Sequence, residues 1–313
     1  VERLHPAAFV HFGTTQEYLR FLQDGVSLLG PCGWQACTAS WAPGASIAQR
    51  ANGWPRGAVA VNASLGEGLT QGASAAQGAC LLDARLEASW HVQGGTGGVL
   101  LSHVVTERPS LALRGGVVLD QLPLRDADGE AWVTRVYGVA DDPKRSMADG
   151  GTFLGRPWAD WLVEARIDPA DLWPGAAERT LWEARLYPPC ADREESLDAA
   201  LWLQDPAQAR AEEVAAWRAA PRLSLAQSYP RADVGRLVEE EGEIEDAVRA
   251  RRFCDGAERQ RPAATLAPIL GPPRDAARRA RLAADWLEAS IDPWLPMRGY
   301  RALAVATGDH RWE

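Results

Sequence analysis

Residues 58–104, AVAVNASLGEGLTQGASAAQGACLLDARLEASWHVQGGTGGVLLSHV, decide how this chain folds. Gly, Ala, Ser and single aliphatics dominate, charged runs vanish, and no helical period survives. Apolar residues recur at Val61, Leu65, Leu69, Leu82, Leu86, Val92 and Leu100, with small residues between them. Short strands joined by tight turns, with a small residue at each corner, are what a β-solenoid requires. Each coil of such a stack buries its inner face only on the next coil. The spacing, ragged but near six residues, predicts a short left-handed β-helix across 45–105, capped at both ends.

Outward from this core the pattern changes twice. Residues 111–139 read as strand–turn–strand: LALRGGVVLDQLPL, the turn DADGE, then AWVTRVYGV. Asp128-Gly129 between alternating apolar runs is a hairpin signal. Upstream, residues 7–24 read as a short apolar strand ending at Gly13, then a helix capped by Thr14 or Thr15 with Glu17 in its first turn. Beyond Trp158, apolar positions fall at helical spacing in 158–166, 192–203, 206–219, 231–253, 274–289 and 297–307. Pro206 stands near a helix start, where its missing N–H costs little. The stretch 255–273, DGAERQRPAATLAPILGPP, reads as a linker. The expected fold class is therefore α+β, mostly β then α: a short left-handed β-helix (β-solenoid) followed by a helical connector domain.

Composition narrows the function. A formal charge of -9 opposes a general grip on nucleic acid. No apolar run approaches the roughly 20 residues of a membrane helix, so no membrane partner is expected. The five cysteines at 32, 37, 80, 190 and 254 fit neither a zinc pattern nor a disulfide framework. Reduced thiols and a cytoplasmic location are the expectation. Fourteen Trp supply large apolar anchors, and packing is the default role for each.

Residues 132–162, WVTRVYGVADDPKRSMADGGTFLGRPWADWL, carry a family resemblance. The order of Arg135, Tyr137, Gly138, Asp142, Pro143, Lys144, Gly151, Thr152, Phe153, Gly155, Pro157, Trp158, Trp161 and Leu162 closely resembles the fucokinase/GDP-fucose pyrophosphorylase family. The similarity resumes at Asp171, Leu172, Trp173, Leu181, Trp182, Ala184, Leu186 and Tyr187, and FVHFGTTQEYL (9–19) is similar to the fucose-1-phosphate branch. The resemblance covers 7–25 and 111–190, and 26–110 by character only. It implies the C-terminal portion of an enzyme that transfers a guanylyl group from GTP to fucose 1-phosphate, releasing pyrophosphate. Bifunctional members also phosphorylate fucose. The implied layout is residues 1–25 as the C-terminal edge of a nucleotidyltransferase domain, 26–155 as the β-helix with its hairpin, and 156–313 as the helical connector.

The family's nucleotide loop has no counterpart here. Gly94-Gly95-Thr96-Gly97-Gly98 lies inside the small-residue repeat, where a β-helix turn explains it. A fragment is expected, inactive alone, whose missing partner is the nucleotide-binding domain. It would bind no cofactor itself, and Mg²⁺ and GTP are implied for the full-length enzyme. Fucose 1-phosphate or a related sugar phosphate is the expected ligand. Its candidate contacts are Asp142, Lys144 and Arg145 in the Asp-Asp-Pro-Lys-Arg turn, with Thr152 and Arg156 beyond it. Two cations in a tight turn offer a point charge and a planar fork to a phosphate. A solvated turn with local ion pairs is the competing reading. Trp158 and Trp161 could line a sugar, but their spacing also suits helix packing. No catalytic residue is assigned.

Two other functions stay open: a non-catalytic sugar-phosphate binding or assembly module, and a β-helix acyltransferase with His91 or His103 as general base. His11, beside Gly13-Thr14-Thr15, reads as a hydrogen-bonding turn residue. The run Glu239-Glu240-Glu241-Gly242-Glu243 reads as a solvated helix face.

Overall fold

The computed structural model describes residues 14–24, 37–38, 59–65, 78–86, 89–93, 98–108, 110–126 and 129–259. His11, Gly94–Gly97, the hairpin's Ala127–Asp128 and the helices expected at 274–289 and 297–307 lie outside them. The largest sheet contains strands β1 (Cys37–Thr38), β2 (Val59–Leu65), β3 (Ala79–Leu86), β5 (Val99–Ser102), β6 (Val105–Thr106), β8 (Val117–Asp126) and β9 (Gly129–Gly138). Its pairings are parallel up to β8, with Cys37 beside Ala60, Val59 beside Cys80, Ala79 beside Val99, and Leu100 beside Val118. Each partner thus lies about 20 residues further along the chain, within the range of repeat units that stack on one another. A second sheet pairs β4 (Ser89–Gln93) with β7 (Ser110–Arg114), also parallel, Ser89 beside Ser110. The chain therefore alternates between two sheets as it climbs.

Register explains the packing. Ala60, Leu81, Leu101, Leu119 and Val136 stand side by side across β2, β3, β5, β8 and β9, and all are buried in the main core. Their neighbours Val59, Cys80, Leu100 and Val118 form the matching row on the opposite face. That face is covered by Leu19 and Leu22 of helix α1 (Thr15–Asp24). A parallel sheet buried on both faces reads as continuous aliphatic runs, which is why VLL and CLL recur. The α1 cap is Thr14: its hydroxyl accepts from the Glu17 amide at 3.2 Å, and Glu17 accepts from the Thr14 amide at 3.1 Å.

Strict alternation would put Ala60 and Ala63 on opposite faces, yet both are in the main core, as are Leu81 with Ala84 and Leu101 with Val104. The flip occurs at Asn62, Asp83 and His103, which take left-handed backbone angles of 49°, 49° and 55°. Asn, Asp and His are the non-glycine types that tolerate this region best. The same position in β2, in β3 and between β5 and β6 is therefore a corner, and these three polar residues fall in one row across the sheet.

The expected strand at 111–124 is two strands. Gly115-Gly116 turns the chain, with Gly116 at φ 83°, so Leu111 and Leu113 join the second sheet while β8 begins at Val117 in the first. The hairpin holds: β8 and β9 pair antiparallel from Val117–Gly138 to Asp126–Gly129.

After β9 come the two-residue strands β10 (Thr152–Phe153) and β11 (Arg156–Pro157), then helices α2 (Trp158–Ala165), α3 (Pro169–Leu172), α4 (Arg193–Leu201), α5 (Ala211–Ala219), α6 (Leu225–Ser228) and α7 (Val234–Arg259). The helix expected over 206–219 is broken. Pro206–Gln208 make one 3-10 turn, Ala209 is extended, and Arg210 precedes α5. Residues 255–259, expected in a linker, continue α7. Buried side chains of the helical region, from Trp158 to Leu225, belong to the same continuous core as the inner row of the sheet. Tyr187 ties the two directly, donating to the Val136 carbonyl at 2.8 Å. Among the described residues no helix is long and apolar enough to cross a membrane.

Candidate functional site

The turn after β9 is organised by Asp141, not by the cations that follow it. Its buried carboxylate accepts from the amides of Gly138 (2.6 Å), Leu154 (2.7 Å) and Gly155 (3.0 Å) and from the Thr152 hydroxyl (2.7 Å). Gly138 permits this approach, because a Cβ there would sit 2.7 Å from Asp141 Oδ2. One carboxylate thus clamps the end of β9 to the β10–β11 hairpin, and Thr152 is spent on that clamp. Asp142 caps the turn, accepting from the Lys144 amide at 3.0 Å. Lys144 and Arg145 are exposed, and among the described residues neither makes an ion pair. Arg156 pairs with Glu164 of α2 at 2.6 Å and lines a cleft of about 560 Å³ with Arg114, Leu154 and Asp205. Of the five candidates, then, two cations remain free to meet a ligand at the turn, two side chains build it, and Arg156 faces a separate cleft.

Asp141→Asn tests the clamp. The amide keeps the shape but turns two N–H donors toward backbone N–H groups. We expect a loss of about 2 kcal/mol, the scale of hydrogen bonds to a charged group, in urea unfolding followed by tryptophan fluorescence.

Trp158 and Trp161 serve packing. Phe153 stacks on Trp158 at 4.9 Å, Trp161 meets Phe153 edge-on at 4.9 Å, and Trp158 meets Trp173 at 4.9 Å. Both tryptophans are almost wholly buried, which leaves no face for a sugar.

A second polar centre was legible only in part. Arg135 on β9 lies opposite Asp120 on β8 and forms a buried ion pair with it. The Arg135 guanidinium also lies 4.2 Å over the Tyr229 ring and donates to Ser228 Oγ at 3.3 Å. Burial works to raise the Asp120 carboxyl, but the Arg135 charge and the nearby His103 hold it at about 2. His103 sits at the corner described above. Its Nε2 is 3.1 Å from Glu241 Oε1 and 3.9 Å from Asp83 Oδ2; its Nδ1 is 2.9 Å from Ser102 Oγ and 3.9 Å from Asp120 Oδ1. Burial alone would lower its pKa, yet the surrounding carboxylates raise it to about 9. An imidazolium cannot accept a proton, so this environment opposes His103 as a general base for acyl transfer. The run at 239–243 is also more than a solvated face, for Glu240 is buried against Arg193 and Arg236 and Glu241 reaches His103.

A cleft of about 650 Å³ is lined by Arg85, Arg193 and Arg236. Arg193 and Arg236 are paired with Glu240, and Arg193 also stacks 3.9 Å over Trp132. Four further glutamates at 107, 130, 194 and 243 share its walls, so it is a poor phosphate pocket.

The Mg²⁺ implied for guanylyl transfer takes near-octahedral oxygen ligands at about 2.1 Å, several of them waters and phosphates. Among the described residues, the group of three ligating side chains within reach of one ion is Asp83, His103 and Glu241. Its imidazole does not fit Mg²⁺, and no step of the reaction is assigned to it.

The sequence matches the fucose pyrophosphorylase domain over residues 1–192. A bifunctional fucokinase/GDP-fucose pyrophosphorylase of Arabidopsis thaliana is 36% identical over 95 residues, which are 29% of this chain and 9% of that protein. No solved structure matches.

Proposed function

The chain belongs to the fucose pyrophosphorylase domain family, and on that premise we propose that it works as the C-terminal portion of a GDP-fucose pyrophosphorylase. The reaction is GTP plus fucose 1-phosphate giving GDP-fucose and pyrophosphate. In this reading β2–β8 and β4–β7 are coils of a short left-handed β-solenoid, and the helices after Trp158 are the connector that closes its end. The described residues act by support and sugar-phosphate contact, and guanylyl transfer falls to a nucleotide-binding domain that supplies the GTP and Mg²⁺ sites.

The observation that carries this reading is the Asp141 clamp. It fixes a turn inside the family-matched region and leaves Lys144 and Arg145 exposed side by side. The fixed turn presents two cations that have no ion-pair partner to give up, and each charge-assisted contact with a phosphate dianion contributes about 1.5–3 kcal/mol. Calorimetric titration of the whole chain with fucose 1-phosphate is expected to give saturable binding, weakened about tenfold or more by Lys144→Ala or Arg145→Ala. Binding indifferent to both substitutions, or absent from the wild type, refutes the contact. Saturable binding of an acyl-CoA would refute the assignment as a whole.

A further inference from the structure

The stacked corner of the sheet places three metal-ligating groups where nothing in the proposed reaction uses them. Asp83 in β3 and His103, between β5 and β6, occupy equivalent positions in the register, and Glu241 of α7 reaches them. Their ligand atoms all lie within 4.8 Å of one another. The spacings of 3.1 Å and 3.9 Å from His103 Nε2 to Glu241 and Asp83 compare with the edge of about 3.4 Å expected for a tetrahedral ion with bonds near 2.1 Å.

The surroundings are those of a site rather than of a chance cluster. A metal-binding imidazole is held by what its other nitrogen touches, and His103 Nδ1 faces Ser102 Oγ and Asp120 Oδ1. A metal-binding carboxylate is steadied through its other oxygen, and Asn62 Nδ2 donates to Asp83 Oδ1 at 2.7 Å, leaving Oδ2 toward the cluster. The same amide donates to the Glu241 carbonyl at 2.9 Å, so it fixes helix and strand together. With Nδ2 committed to two acceptors, Asn62 Oδ1 is buried and accepts no hydrogen bond among the described residues. A buried acceptor without a donor is a group that an added cation or water could satisfy. The side chains of Asp83, His103 and Glu241 remain 26%, 19% and 40% exposed, which leaves an entry path from solvent.

We propose that Asp83, His103 and Glu241, oriented by Asn62 and Asp120, bind a first-row divalent transition-metal ion of the Zn²⁺ or Mn²⁺ kind, which clasps α7 to the sheet. Two carboxylates and one imidazole suit such ions and not Mg²⁺ or Ca²⁺. The ion takes the Nε2 lone pair, and a proton there leaves to solvent.

The test is equilibrium dialysis of the full chain against Zn²⁺, and separately Mn²⁺ and Mg²⁺, with bound metal measured by elemental analysis. Zn²⁺ or Mn²⁺ is expected at one equivalent and Mg²⁺ at none. Asp83→Asn and Glu241→Gln lose that equivalent while circular dichroism shows them folded. Asn62→Gly, acceptable at a positive φ, weakens binding about tenfold, the usual effect of removing an orienting partner. Added Zn²⁺ raises the Tm of the wild type but not of Glu241→Gln. Folded variants that bind as much metal as the wild type, or a wild type that takes up none, overturn the proposal.

Discussion

Arg135→Met is expected to lower the unfolding free energy by about 3–5 kcal/mol, because it leaves the Asp120 charge buried without its partner. Arg135 is 2% exposed, stands directly across from Asp120 in the β8–β9 register, and is covered by Tyr229 and Ser228 of the helical region. A methionine fills much of the space but cannot neutralise the carboxylate. Asp120→Asn with Arg135→Met is expected to cost distinctly less than the arginine change alone, since no bare charge is left. Urea unfolding of the single and double variants measures both. A single-variant cost under about 1 kcal/mol would mean that Asp120 is hydrated and the pair does not hold the hairpin. The same pair sets an acid limit. Because folding depresses the Asp120 pKa from 3.8 to about 2, its contribution is complete above about pH 4 and is lost as pH falls toward 2. Arg135→Met should flatten the acid limb of a stability–pH curve.

Trp161→Ala should cost about as much, 3–5 kcal/mol on the scale of large buried aromatics, and the neighbouring Trp158 gives the control. Trp161 packs edge-on against Phe153 and donates its indole N–H to the Leu203 carbonyl at 3.0 Å. Trp158 stacks on Phe153 just as closely, but its N–H is buried with no partner among the described residues. Trp→Phe at the two positions therefore separates packing from hydrogen bonding. Trp161→Phe strips Leu203 of its donor and should cost about 1 kcal/mol more than Trp158→Phe, which removes an N–H that gains nothing from folding. Thermal and urea unfolding of the two Phe variants decide it. Equal losses would show that the Leu203 bond contributes nothing beyond packing.

Local signals in the chain were readable because their physics is local. Thr14 followed by Glu17 is a capping box in any context, and it starts α1. The aliphatics at Val61, Leu82 and Leu100 marked strands, but that both faces of those strands are buried came from the structure. The Gly-Gly at 115–116, a glycine pair between two aliphatic runs, is a corner signal too, and it divides β7 from β8. The candidate site was half legible. Lys144 and Arg145 stand out in a turn, but Asp141 beside Asp142 does not look different from it. Which of two adjacent carboxylates turns inward depends on where the amides of Leu154 and Gly155 arrive.

By itself, the sequence determined the family and the hairpin of β8 and β9, since residue type and spacing encode each directly. Only the tertiary structure decided that Asn62, Asp83 and His103 fall in one row across the sheet, and that Glu241, 138 residues beyond His103, completes the group. The reason is register. Stacking brings residues about one repeat apart into contact, and that repeat is set by how many residues each corner consumes, a number no local pattern states.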